Sequence, residues 1–411
     1  MRLIQSRLPK FLSRFQNLFT SLTRNVSATA VIYLKGLLLC SRRNCQVMSE
    51  ELQESNGQRL HHFITNSRWC FQSVMDVVTL QFWQMLQRLG LTEDSCLIID
   101  ECGNPKKGYH SAIVKRQYCG QLGKTENSQV GVFGALCGGS LVNLVQARLS
   151  GIQKQVSKID QAAEIIAHVI KGLKIKVRWV CFDAFYGRDL ALLADLIKNG
   201  IEFVADVPDN LQMWLEPFQM GSTCKEKGTH GRRCKNPKPN LAGTSIKKYA
   251  GSLTKRDWKF ITVRPQSGGR KLQAWFHSRE VYILNPLTNR HQLITLLIRE
   301  DKDGTIKYSF CHCPGASLKE LAYRQGKRYM VWCDLKDCCI SKATCFTRMI
   351  SVSVNTKTFM QFRLMVLTVI NSIHTIIKGT PGVKKLPIGY PGSSDGNACN
   401  ESVKGKNRGS T

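Results

Sequence analysis

Ser95-Cys-Leu-Ile-Ile-Asp-Glu-Cys-Gly-Asn-Pro-Lys-Lys-Gly108 decides the fold class of this chain. A short apolar run closes on two acids, and Gly103, Pro105 and Gly108 follow, which predicts a buried strand ending at Asp100 and then a turn. Trp179-Val-Cys-Phe-Asp183 repeats the pattern, with four apolar residues stopped by an aspartate. Residues 129–136 and 140–148 read as two more strands. A helix over 160–171 precedes a strand over 177–182, and a helix over 189–199 precedes a strand over 201–206. Strands first, then helix and strand in alternation, indicate a mixed α/β sheet.

Upstream, residues 9–95 read as helices. Phe11, Phe15, Leu18, Phe19 and Leu22 recur at helical steps, as do Met75, Val78, Phe82, Met85, Leu86 and Leu89. Downstream, from about 211 to 298, Gly, Pro and Lys give way to β-rich runs at 260–263, 272–276 and 281–284, which predict an insertion with its own small sheet. Helical signals return over 317–330. The segment 378–411 is rich in Gly, Ser, Lys, Pro and Asn and is expected to be a disordered tail.

The balance of 59 Lys+Arg against 29 Asp+Glu gives a formal charge of +30 over 411 residues. With 43% apolar and 21% charged residues the composition is globular, and collagen-like or globally disordered chains are excluded. Apolar runs fall far short of the roughly 20 residues of a membrane-spanning helix. A strongly basic globular chain points to a polyanion, of which nucleic acid is the usual one. The charge is uneven: eight basic residues precede the first acid, Glu50, and the stretch 222–260 holds eleven basic residues and two acids. Seventeen cysteines, an odd number, occur without any C-x2-C pair and without a secretory leader pattern. Reduced thiols in a cytoplasmic protein are expected, with neither a zinc site nor a disulfide framework.

Asp100 and Asp183 each end a predicted buried strand. If those strands are neighbours the two carboxylates meet, and like charges held close call for a cation between them, Mg²⁺ or Mn²⁺. Such a site suits phosphodiester chemistry. Glu101 falls on the opposite strand face. Asp also forms turns and caps, a bland reading that fits both positions.

The wording around these acids carries more. Leu97-Ile-Ile-Asp-Glu-Cys-Gly-Asn-Pro-Lys-Lys-Gly108, then His110-Ser111 and Lys115-Arg-Gln-Tyr-Cys-Gly-Gln-Leu-Gly-Lys124, closely resemble a signature of insertion-sequence transposases with a DDE, RNase H-like catalytic domain. The branch numbered seven-oh-one is the most similar. Trp179-Val-Cys-Phe-Asp-Ala-Phe-Tyr-Gly187 resembles that family's second-aspartate motif. Tyr33-Leu-Lys-Gly-Leu-Leu-Leu39 and Arg59-Leu-His-His-Phe-Ile-Thr-Asn-Ser-Arg-Trp69 resemble its amino-terminal region. In all, the likeness covers about residues 9–335.

The resemblance implies an RNase H-like mixed sheet with flanking helices, a β-rich insertion and an N-terminal helical domain. It divides the chain into a helical, DNA-binding region (1–92), the first part of the catalytic core (93–210), a basic β-rich insertion (211–312), diverged C-terminal helices (313–377) and the tail (378–411). Asp100 and Asp183 become the first two catalytic carboxylates and metal ligands. The third is expected as a glutamate on a helix after the insertion. Arg328 matches the basic-aromatic run that precedes it, but Trp332 occupies the glutamate position and Cys339 the position of a following lysine. Asp334 lies about 200° further around a helix, and Asp337 also faces elsewhere. The third acidic position is therefore degraded.

The activity so implied is DNA strand cleavage and transfer at the ends of a mobile element; the alternative is a catalytically dead DNA-binding remnant. A weaker third reading is an RNA-binding protein. The implied partners are double-stranded DNA, as terminal inverted repeats and target, and a second copy of the chain on that DNA, with no membrane and a nucleoid location in the cytoplasm. Candidate DNA contacts are Lys106 and Lys107 beyond Asp100, Arg116, the loop residues Arg232, Arg233, Lys235 and Lys238, and Arg328. Trp214 and Trp258 flank that loop, as platforms for base stacking or as core residues.

Overall fold

β1 (Ser95–Pro105) is the axis of the molecule. It pairs antiparallel with β3 (Lys124–Gly138) on one side and parallel with β5 (Trp179–Phe182) on the other. β5 in turn pairs parallel with β6 (Phe203–Val207), while β3 also carries β2 (Lys115–Cys119) and β4 (Leu141–Leu149). Two parallel neighbours on one side of β1 and an antiparallel pair on the other make an RNase H-like sheet. The computed structural model describes residues 13–328 except 22–23, 43, 68, 110–112, 121, 150–155, 222–236 and 266–270.

Two expectations need correction. First, β1 does not stop at Asp100 but runs on to Pro105, because β3 continues beside it with Asp100 opposite Phe133. Gly103 marks a close approach, not a turn: a Cβ there would lie 2.9 Å from Cys119 Sγ. Second, apart from a two-stranded ladder of Gln212–Met213 with Thr244–Ser245, the described strands of the β-rich insertion form no sheet of their own. β7 (Lys259–Pro265), β8 (Lys271–Asn285), β9 (Arg290–Glu300) and β10 (Ile306–His312) form an antiparallel meander, and β10 pairs with β6, Ser309 opposite Asp206. The result is one sheet of 10 strands. Runs read as two strands, 272–276 and 281–284, belong to the single β8.

The central strands are buried on both faces, which is why they read as unbroken apolar runs. Cys96, Ile98, Cys181, Val204 and Leu297 face the N-terminal helices α1 (Ser27–Leu39), α2 (Cys45–Leu52), α3 (Gly57–Thr65) and part of α4 (Phe71–Arg88). Leu97, Ile99, Val180, Phe182 and Ala205 face α5 (Lys158–Ala167) and, beyond a one-turn α6 (Ala184–Gly187), α7 (Leu190–Lys198). Side-chain caps fix where the helices begin: Asn44 on α2, Asn56 on α3, a Ser157/Asp160 capping box on α5 and Asp189 on α7.

Helical residues 318–328 return to the first face, where Leu321 and Ala322 join the core. Three basic side chains pin this helix to the sheet. Arg324 pairs with Glu202, Lys327 with Asp94 at 2.8 Å and Arg328 with Asp206 at 2.9 Å. Among the described residues no helix is long and apolar enough to cross a membrane. The expected tail at 378–411 lies outside the described residues.

Candidate active site

The register of the three parallel strands places three aspartates in a row. Ile98 is opposite Cys181 and Cys181 opposite Val204, so continuing each strand by two residues aligns Asp100, Asp183 and Asp206 on one face. All three line one cleft of about 830 Å³, with Arg299, Lys307 and Arg328 as its basic members. The sheet does the positioning: Asp100 midway along β1 and Asp183 just past the end of β5 form the sequence-predicted pair, and Asp206 near the end of β6 adds an acid of the same kind.

Asp100 is 6% exposed. Its Oδ1 accepts from the Glu101 N–H at 2.8 Å, and its Oδ2 has no hydrogen-bond partner among the described residues. Burial pushes its carboxyl up to about 6; the Asp183 charge adds to the rise and the Arg328 guanidinium opposes it. Asp183 is raised too, by burial first, with Arg328 and two backbone N–H groups pulling the other way. Those N–H groups belong to Phe185 and Tyr186, which donate to Asp183 Oδ1 at 3.0 and 3.4 Å. Asp183 is thus a helix cap and a cleft residue at once. Asp206 is fully engaged: Oδ1 accepts from Ser309 Oγ at 2.7 Å and Oδ2 from Arg328 at 2.9 Å. Glu101 sits on the other face, paired with Lys158 at 2.6 Å, as the strand period requires.

The remaining sequence candidates scatter. Lys106 and Lys107 lie six and seven residues beyond Asp100, which on an extended strand is roughly 20 Å away, because β1 does not turn where a turn was expected. Arg116 is exposed on β2, at the end of the sheet order remote from the insertion. Lys238 is exposed, and its carbonyl accepts from the Gly221 N–H at 2.8 Å. Arg232, Arg233, Lys235 and Trp332 lie outside the described residues. Both tryptophans flanking the basic stretch are packed: Trp214 donates to the Leu241 carbonyl and lies 4.4 Å from Phe218 with the rings tilted, and Trp258 packs 6.3 Å from His277. Sequence reading missed Asp206, although it closes the run 201–206 as Asp100 and Asp183 close theirs.

Residues 17–270 match a family described as DDE superfamily endonuclease. The chain belongs to that family. The matched span contains Asp100, Asp183 and Asp206 and ends before Arg328. A probable transposase for insertion sequence element IS701 from Microchaete diplosiphon is 31% identical over 221 residues, 51% of this chain and 57% of that protein. The chain therefore spans little more than half the length of that curated relative. A cryo-EM structure of a piggyBac transposase synaptic complex with hairpin DNA aligns over 95% of this chain and 83% of its own, at 10% identity and a TM-score of 0.36. That likeness is too faint to bear on the fold. DDE superfamily nucleases generally use divalent metal ions. Among the described residues no three His, Cys, Asp or Glu side chains gather as a ligand set. Two carboxylates, one with a buried oxygen lacking a partner, nonetheless fit a hard cation.

Proposed function

We propose that this chain is a DDE transposase of an insertion sequence, in which Asp100 and Asp183 hold Mg²⁺ or Mn²⁺, and that its third acidic position has been lost to Trp332. The observation that carries this reading is the buried Asp100 Oδ2, without a partner among the described residues, on a strand parallel and adjacent to the one that ends at Asp183. Two anionic groups so placed lack a counter-charge of their own beyond the one guanidinium. A bound divalent cation would supply charge neutralisation on a phosphodiester and a more acidic water. The chain's own part is to aim both carboxylates from one rigid edge and to present Lys307 and Arg328 on the wall where an anionic backbone would lie. Tryptophan offers only an indole N–H and cannot act as a ligand, so the chain as written engages DNA without efficient cutting.

DNA contact falls to two other surfaces. The N-terminal helical region exposes Gln58, Arg59, His62 and Asn66 along α3, donors and acceptors of the kind that meet base edges. The basic stretch 222–238, as read from the sequence, supplies the phosphate contacts. Element ends come in pairs, and two copies of the chain are the natural occupants. Replacing Arg232, Arg233, Lys235 and Lys238 with Ala is expected to flatten the slope of log affinity against log salt for duplex DNA by roughly 3–4. An unchanged slope would move the phosphate contacts to the N-terminal helices.

Nicking of a cognate inverted-repeat duplex tests the central reading. The unmodified chain is expected to show little or no Mg²⁺-dependent nicking. The double change Trp332→Glu and Cys339→Lys is expected to produce it, and addition of Asp100→Ala to remove it again. Robust nicking by the unmodified chain, lost in Asp100→Ala, would mean that another residue, Asp334 first, replaces the glutamate. A wild-type chain that binds no Mn²⁺ would defeat the cation assignment itself.

A further inference from the structure

We infer that Asp206 is a positioning residue that holds the Arg328 guanidinium away from Asp100 and Asp183 and so keeps that pair open to a divalent cation. The inference rests on the cation reading above and adds a residue to it. Seven of the described charged residues line the cleft, and Asp206, Asp100 and Asp183 are the acids among them whose charges act on Arg328. Arg328 reaches in from helical residues 318–328, and its guanidinium takes Asp206 Oδ2 at 2.9 Å. The other oxygen of Asp206 accepts from Ser309 Oγ at 2.7 Å, and Gln325 Nε2 donates to that hydroxyl at 2.7 Å. Asp206 is thus built into place from the sheet and from the helix, with both oxygens used. Asp100, by contrast, keeps one oxygen without a partner.

Arginine carries five donors in a planar fork that matches a carboxylate. It cannot shed its charge at any ordinary pH. Its side chain is only 25% exposed, so a guanidinium released from Asp206 stays in the cleft rather than in bulk water. The other cleft acids nearest to it are Asp100, Asp183 and, further along the strand end, Asp209. A guanidinium settled on the first two would occupy the oxygens that a metal ion needs. Removing the acid that does not bind the cation therefore closes the site to it.

A double-mutant cycle on the full chain reads this out, with free Mn²⁺ followed by electron paramagnetic resonance. Asp206→Asn is expected to weaken Mn²⁺ binding tenfold or more. Arg328→Gln alone is expected to bind at least as tightly as the unmodified chain. In the Arg328→Gln background the Asp206→Asn change is expected to alter affinity by less than threefold, since the guanidinium that Asp206 holds is gone. Simple loss of a negative charge would act by the same factor in both backgrounds, and that additive outcome overturns the inference. Asp206→Glu keeps the ion pair and is expected to retain binding; a folded Asp206→Glu protein without it counts equally against the proposal. Should Asp100→Asn bind Mn²⁺ as well as the unmodified chain, the cation reading fails instead. A crystal structure of Asp206→Asn then decides the matter alone, with the guanidinium on Asp100 or Asp183 in support and turned elsewhere in refutation.

Discussion

Asp100→Asn should melt at a higher temperature than the unmodified protein at pH 7.5 without divalent cations, while losing Mn²⁺ binding. Asp100 is 6% exposed, one of its oxygens has no partner among the described residues, and burial pushes its carboxyl up to about 6. An unfolded aspartate titrates near 3.9. Between these values the folded chain binds more protons than the unfolded one, so stability from this group is complete below about pH 4 and is lost as pH rises through about 6. By pH 7.5 the loss is of the order of 2–3 kcal/mol. Asparagine keeps the shape and never ionises. The gain in melting temperature should therefore shrink as the comparison moves from pH 7.5 to pH 4. An Asn variant that melts below the unmodified protein at pH 7.5 would contradict this account of Asp100. Such a residue is costly to the fold and is kept where a ligand repays it.

Gly187→Ala should be among the most damaging single changes in the catalytic core. A Cβ at Gly187 would lie 2.0 Å from the Asp206 carbonyl oxygen, 3.1 Å from its carbon and 3.2 Å from Ala205 Cβ. Two of these are backbone atoms of a central strand and the third is a Cβ fixed to it, so none can swing aside. α6 would have to lift from β6, at an expected cost of about 2–4 kcal/mol. Because α6 is capped by Asp183, the same displacement separates Asp183 from Asp206 and weakens Mn²⁺ binding in whatever fraction stays folded. Chemical denaturation measures the first effect, and wild-type stability would show that the strand and helix are not in such close contact.

Much of the catalytic core is legible in the order of its residues. The runs 95–100 and 179–183 both signal burial on two faces by apolar continuity, while the closing acid marks a strand end only at Asp183. Both acids do line one cleft. Asp206 bears the same signal more weakly, since Phe203-Val-Ala-Asp-Val continues past the acid and the family wording does not single it out. The long reach of β1 is hidden because Gly103 and Pro105 are turn formers by habit, and only the crossing of Cys119 explains a glycine in the strand. Arg328 reads as a DNA contact, and Arg324 and Lys327 stand out by no pattern of their own. Their placement against Glu202, Asp94 and Asp206 depends on residues more than 100 positions away, which no local pattern reports.

The pairing of β10 with β6 gives the insertion a meaning beyond its own residues. Excision of residues 211–312 would strip β6 of its outer partner and leave a row of unpaired amides and carbonyls along the strand that carries Asp206. Exposed, flat, apolar edges of that kind invite other chains to add to them. The insertion is therefore not a cassette that trimming or domain exchange can lift out. Its removal would call for a new cover over one edge of the sheet that carries Asp100 and Asp206.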